Sequence, residues 1–321
     1  MRKVLSQALT AALVAGLSVT LVGCGKVREL QGRMAIREAH GLYQGQDWAK
    51  AAAKYEDVIA SDPSVSGYSS YFFLGNSYDN MFIPGKTGDP ANEAMLAKAI
   101  DNYTKAAELQ TDPKMKNLAL QYLVAAYGPD KLNDPGKSEP IIQRMIQMDP
   151  NEPANYFQLS RIYQDSGEVE KAEAALVTAR QNKPKDPAVY MQLAGFYATQ
   201  GVFPKTIEAV EARAAQDPTN PEAFYTVATY YWDKAYRDLR APVPEKMKYI
   251  QSGVDAVDKA LALNKDYMEA LVYKNLLLRL MANLEKNLPK QQALLKEADQ
   301  IRNRAEELRK LKAAGITKPG A

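Results

Sequence analysis

Four sets of residues recur at a spacing of 34 in the middle of the chain. They are Pro150, Pro184 and Pro218; Tyr156, Tyr190 and Phe224; Leu159, Leu193 and Val227; and Tyr163, Tyr197 and Tyr231. A period held by four columns at once means that one supersecondary unit is built repeatedly, each copy burying its apolar face against the next. Within a copy, Tyr156, Leu159 and Tyr163 fall at steps of three and four, the stripe of a helix packed along one side. Ser160 and Ala172 are small enough to let two helices approach closely, and Gly167 supplies the turn between them. Pro184 stops the second helix before the next copy starts. No strand-like alternation of useful length competes with this pattern, so the expected fold is all-α.

A helix-turn-helix of this period, with a large residue, Leu, a small residue and Tyr on its first helix, resembles the tetratricopeptide repeat. The clearest copy is ANYFQLSRIYQDSGEVEKAEAALVTARQNKPKDP. Weaker copies extend outward. Tyr71, Leu74, Gly75 and Tyr78 keep the same mutual spacings, followed by Ala99, Tyr103 and Ala106 on a matching second helix. DWAKAAAKYEDVIASDP resembles an earlier second helix ending at Pro63, Tyr127 marks a degenerate copy, and GVDAVDKALALNKD returns after Tyr231. About six to seven units cover residues 32 to 313. The resemblance implies a helix-turn-helix solenoid with a C-terminal capping helix: a repeat array over 32–288, a terminal amphipathic helix over 289–313 and a flexible tail over 314–321.

Two units exceed the period. Tyr163 to Ala179 is 16 residues, but Tyr78 to Ala106 is 28 and Tyr231 to Ala260 is 29. The additions read NMFIPGKTGDPAN and DLRAPVPEK, and a third unit carries GPDKLNDPGKSEP. Their Pro and Gly content reads as loops between first and second helices, sharing one edge of a stack, as a binding edge or as tolerated surface variation. In the last helix Leu294, Ala298, Ile301, Ala305 and Leu308 form an apolar stripe among charged residues. Such a stripe suits a cap over the final unit, or a short dimerising coiled coil.

The tetratricopeptide resemblance also implies a concave groove lined by first helices. The positions that match it are Phe72, Phe157, Met191 and Tyr225, then Asn76, Arg161 and Thr229, then Asp79, Gln164 and Trp232. Aromatic residues or Met stand where some members of the family carry a carboxylate-clamp lysine, which argues against acidic C-terminal peptides. A groove of Phe72, Asn76, Phe157, Arg161, Met191, Tyr225 and Trp232 suits an apolar helix or an extended segment of another protein. Packing between repeats is the competing use of the same aromatics.

The start of the chain carries a second signal. Arg2 and Lys3 precede an uncharged, largely apolar run from Val4 to Gly23, broken by Ser and Thr. That is a secretory leader more than a membrane span. Leu21, Val22, Gly23 and Cys24 resemble the lipobox of bacterial lipoproteins, which implies a signal peptide over 1–23, lipid attachment at Cys24 and a lipidated tether over 24–31. Gly25, where many bacteria place an inner-membrane retention Asp, favours the periplasmic face of the outer membrane by the same resemblance.

Composition narrows the chemistry. Cys24 is the only cysteine and His40 the only histidine, leaving no thiolate or histidine cluster for catalysis or metal binding. His40 reads as a solvated or packed side chain at a helix end. The net charge of +3, or +1 without Arg2 and Lys3, gives no basic footprint for nucleic acid. The expectation is a non-catalytic, membrane-anchored protein-interaction adaptor of the bacterial envelope, without cofactor. Its partner would be another envelope or secreted protein, in assembly of outer-membrane, secretion or pilus machinery. The alternative is an envelope enzyme or peptidoglycan- or glycan-binding module whose inserted loops supply Asp89, Asp130, Asp134 and Glu139.

Overall fold

A computed structural model describes residues 30–61, 67–86 and 88–316. The leader, Cys24, most of the tether, Pro63 and the last five residues lie outside the described residues. Among the described residues there are fourteen helices and no strand. They fall in two compact units, Met1–Pro150 and Asn151–Ala321. The first holds α1 (30–44), α2 (Trp48–Ser61), α3 (Tyr68–Met81), α4 (Pro90–Leu109), α5 (Pro113–Ala126) and α6 (Pro135–Met148). The second holds α7 (Pro153–Asp165), α8 (Val169–Asn182), α9 (Pro187–Thr199), α10 (Phe203–Gln216), α11 (Pro221–Arg237), α12 (Val243–Leu263), α13 (Met268–Leu284) and α14 (Leu288–Ala313). These are seven helix hairpins, and within each unit helices from α2 onward pack on their neighbours in sequence.

Local chemistry explains where the helices begin and end. Asp89, Asp112, Asp134, Glu152, Asp186 and Asn220 each accept a backbone N–H of the following first turn, and a proline comes next in every case. The cap satisfies an orphan donor, and proline at the first helical position sacrifices an N–H that had no partner. Pro184 follows the C-cap Lys183 of α8, as the sequence predicts. Gly167 and Gly201 turn the chain within successive hairpins at φ of 75° and 70°, a region that penalises a Cβ.

Two columns of small residues set the helix crossings. On first helices Gly75, Ser160, Ala194 and Ala228 are buried, and on second helices so are Ala99, Ala172, Thr206 and Gly253. At the α3–α4 crossing a Cβ on Gly75 would lie 3.1 Å from the Ala99 carbonyl oxygen and 2.9 Å from the Tyr103 ring. Only glycine fits there without moving a neighbour.

The tyrosine column does more than fill space. Tyr197 donates to Glu173 at 2.7 Å and Tyr231 to Glu211 at 3.1 Å, each glutamate standing on the second helix of the preceding hairpin. Tyr78 donates to Glu56 in the same way. Burial, then the hydrogen bond to Glu173, pushes the Tyr197 phenol up to about 12, so it remains a donor at neutral pH. A phenylalanine would fill the position but could not tie the two hairpins together.

The inserted sequences divide between connection and helix: most of each string is a connection between first and second helices, as the loop reading expects, and the rest lengthens helices. α4 and α12 are 20 and 21 residues long against 14 for α8 and α10, and α11 reaches 17. The connections are 82–89, 127–134 and 238–242, and Pro242 and Pro244 bracket the start of α12 instead of breaking it. A proline within the first turn leaves no ladder bond unmade, so a Pro-rich string extends a helix from its N-terminus.

α14 packs its apolar side on α13, burying Ala298 and Ala305 and half-burying Leu294, Ile301 and Leu308. Arg279 of α13 reaches Asp299 at 2.6 Å across the same pair. This is the capping arrangement.

His40 packs its ring edgewise on Tyr55 and Phe73, at 5.7 and 4.7 Å between centroids. Burial lowers its pKa from 6.5, favouring the neutral ring in the folded state. The stabilisation is therefore complete above the unfolded pKa and declines as pH falls below about 6.5. Because the ring is only half-buried, solvent screening keeps the loss small. Urea midpoints at pH 7.5 and 5.5 should differ less in His40→Gln than in the natural chain.

Candidate functional site

The first-helix face of the 1–150 unit carries a polar cavity of about 360 Å³ lined by Tyr43, Trp48, Asn76, Asp79, Asn80, Tyr122 and Lys131. Residues from α1, α3 and α5 meet here because the first helices of successive hairpins stand side by side. Tyr43 donates to Asn76 Oδ1 at 2.7 Å, and Asn80 Nδ2 donates to the same oxygen at 2.8 Å. Asn76 Nδ2 donates to Tyr103 Oη at 3.2 Å, which donates to Asp79 Oδ2 at 3.2 Å. Lys131, from the α5–α6 connection, forms an ion pair with Asp79. Burial, reinforced by the Asp79 charge, pushes the Tyr103 phenol far above its usual range and keeps it a neutral donor. The network therefore presents one carboxylate, one ammonium and amide groups among aromatic rings.

The 151–321 unit carries an aromatic surface instead. Tyr225 meets Tyr267 and Tyr273 edge to face at 5.5 and 5.3 Å, and Trp232 meets Tyr273 at 5.6 Å. Trp232 also stacks on Tyr236 at 5.0 Å, and Tyr236 is 58% exposed. Tyr225, Trp232 and Tyr273 are half-buried, so this cluster shows apolar ring area on the first helices α11 and α13. A separate cavity of about 470 Å³ lies between the start of α13 and the end of α14, walled by Tyr267, Met268, Leu308 and Leu311 beside the Arg304–Asp266 pair.

The groove positions read from the sequence divide accordingly. Asn76 and Asp79 join the polar cavity, and Tyr225 and Trp232 join the aromatic cluster. Phe72 is only 7% exposed and packs among Tyr68, Phe73, Tyr103 and Tyr122, so it serves the core. Asn76 is 6% exposed and acts through its hydrogen bonds. Phe157 and Met191 are half-buried, and the Arg213 guanidinium approaches the Met191 sulfur at 3.6 Å. Arg161 is exposed, with Asp165 at 4.0 Å. Tyr43, Trp48, Tyr122, Lys131, Tyr236, Tyr267 and Tyr273 complete the two sites and escape the column logic. Trp48 and Trp232 are the only tryptophans, a compositional signal that points to one in each site.

Three of the four carboxylates of the enzyme alternative are otherwise engaged. Asp89 and Asp134 are helix N-caps, and Glu139 accepts from Gln143 at 2.9 Å on the surface of α6. Among the described residues no group of His, Cys, Asp and Glu is placed to hold a metal ion, and no helix is long and apolar enough to cross a membrane.

Residues 131–195 match the tetratricopeptide repeat family. The C-terminal part of a TPR repeat-containing protein from Cytophaga hutchinsonii, 14% identical, superposes with a TM-score of 0.51 over 85% of this chain and 98% of its own. By fold the chain is similar to tetratricopeptide repeat proteins. A tetratricopeptide repeat protein from Parabacteroides merdae is also 14% identical, covering 87% of this chain and 98% of its own with a TM-score of 0.45. YrrB, a TPR protein with an unusual peptide-binding site, is 18% identical over 60% of this chain and 89% of its own, with a TM-score of 0.40. No curated protein matches the chain. The tetratricopeptide repeat fold is typically a non-catalytic scaffold for protein partners.

Proposed function

We propose that this repeat protein is a non-catalytic adaptor of the bacterial envelope, anchored to a membrane through lipid on Cys24 and holding another exported protein. The observation that carries the adaptor reading is the aromatic cluster of Tyr225, Trp232, Tyr236 and Tyr273. Large, rigid rings left partly exposed on adjacent first helices offer contact area at low entropic cost, the composition that dominates protein interfaces. Affinity purification of the tagged full chain from detergent-solubilised envelopes tests it. One exported protein at near-equal stoichiometry supports the reading, and recovery of the chain alone under mild conditions defeats it.

The anchor reading rests on the leader and on the Leu21, Val22, Gly23, Cys24 string. Two or three acyl chains hold a protein stably on a bilayer. Eight residues from Cys24 to Gly32 span roughly 28 Å at most, so the first helices would stand close to that bilayer. The outer membrane, and service to the assembly of outer-membrane, secretion or pilus machinery, belong to the same proposal. Cys24→Ser should abolish incorporation of a fatty-acid probe in cells, and unchanged labelling would overturn the anchor.

A further inference from the structure

The ion pair of Lys131 and Asp79 spans 52 residues and fills part of the polar cavity in the 1–150 unit with the chain's own ammonium group. Lys131 stands on a connection made firm by its own hydrogen bonds. The Lys131 N–H reaches the Gly128 carbonyl at 3.1 Å, Asn133 N–H reaches the same carbonyl at 2.9 Å, and Asp134 N–H reaches that of Tyr127 at 2.9 Å. Asn133 takes the left-handed conformation with φ of 49°, which asparagine tolerates better than most residues and which lets the loop turn back.

We propose that this cavity is a receptor for an alkylammonium group, the side chain of a lysine on the bound partner, and that Lys131 is an internal stand-in which that lysine displaces. Three features select this chemistry. Asp79 is the single carboxylate of the cavity, and its side chain is 10% exposed, so leaving it without a cation would strand a largely buried charge. Tyr43, Trp48 and Tyr122 wall the same cavity, and ring faces receive both an aliphatic stem and the charge at its end. The Tyr103 hydroxyl already donates to Asp79 and Asn76 is held by Tyr43, Asn80 and Tyr103, so the cavity is preorganised before any ligand arrives. Both Asp79 oxygens are already taken, Oδ1 by Lys131 and Oδ2 by the Tyr103 hydroxyl, so a partner lysine takes the place of Lys131 and does not sit beside it.

The inference rests on the adaptor reading only in having the lysine arrive on another protein. The test uses a small molecule, so the two readings fail separately. In a Trp232→Phe background the full chain keeps Trp48 as its only tryptophan, a fluorescence reporter inside the cavity. The probes are N-acetyl-lysine amide and its Nε-acetylated, uncharged analogue. Lys131→Ala should bind the charged probe at least tenfold more tightly than the parent, ignore the acetylated one, and lose the charged probe when Asp79→Asn is added. Independently of that second substitution, the thermal midpoint of Lys131→Ala should rise with the concentration of the charged probe, as binding to the folded state requires. Equal affinity with and without Lys131, equal response to the acetylated probe, or a midpoint that does not move would each overturn the proposal. A Trp48 response to neutral monosaccharides in place of the charged probe would overturn it in favour of a sugar site.

Discussion

Tyr103→Ala lowers the stability of the 1–150 unit by about 3–5 kcal/mol, the cost of removing a large buried aromatic side chain. Tyr103 is fully buried, packs against Phe72 and Tyr122, and fits against the bare Cα of Gly75. Its loss opens a cavity at the α3–α4 crossing and strands the Asn76 amide, whose Nδ2 donates to the Tyr103 hydroxyl. Tyr103→Phe keeps the ring and should cost about 1–3 kcal/mol, the penalty of a buried donor left unpaired. Calorimetry of the full chain checks both: the alanine variant should show a transition lowered by roughly 10 °C or more, with the phenylalanine variant between it and the parent. If the phenylalanine variant unfolds like the parent, the hydroxyl has no structural role and the network around Asp79 is not what orders the cavity.

The double substitution Trp232→Ala, Tyr236→Ala should weaken capture of the partner by about 2 kcal/mol or more, roughly thirtyfold, while moving the thermal midpoint little. The two rings stack on each other, and Tyr236 is more than half exposed, so their removal takes away contact area without emptying a core. Phe72→Ala is the contrast. Phe72 is 7% exposed among four aromatic neighbours, and its truncation should lower the midpoint sharply. Capture that survives the loss of Trp232 and Tyr236 would move the binding surface away from the α11 face.

Much of this fold is legible in the chain because a repeat writes its packing rules several times over. The columns headed by Tyr156, Leu159 and Tyr163 are buried as a helical stripe demands, with Phe224 and Tyr231 only partly so, Gly167 adopts the positive φ a tight turn requires, and the stripe of α14 packs on α13. The long spacings were legible as insertions between first and second helices, but not in how much of them is helix. Pro and Gly suggest a loop wherever they cluster, yet proline at a helix N-terminus is favourable, and the extra residues of α4 and α12 propagate helices already begun by packing. The groove was legible only in part. Position one residue beyond the large column names Phe72, Phe157, Met191 and Tyr225 alike, but a helix face cannot report which of its rings a neighbouring helix will cover.

By itself, then, the sequence determined the repeating hairpin, its turn glycines, its small-residue crossings and its helix starts, because these depend on interactions within about one period of 34 residues. Tertiary structure decided the sites. Asp79 and Lys131 are 52 residues apart, Asn76 and Tyr43 are 33 apart, and Trp232 meets Tyr273 from another hairpin. No local propensity encodes such pairings. They form because stacking the hairpins within each unit brings first helices side by side, and the burial that drives the stacking is indifferent to which polar or aromatic groups it carries to the shared face.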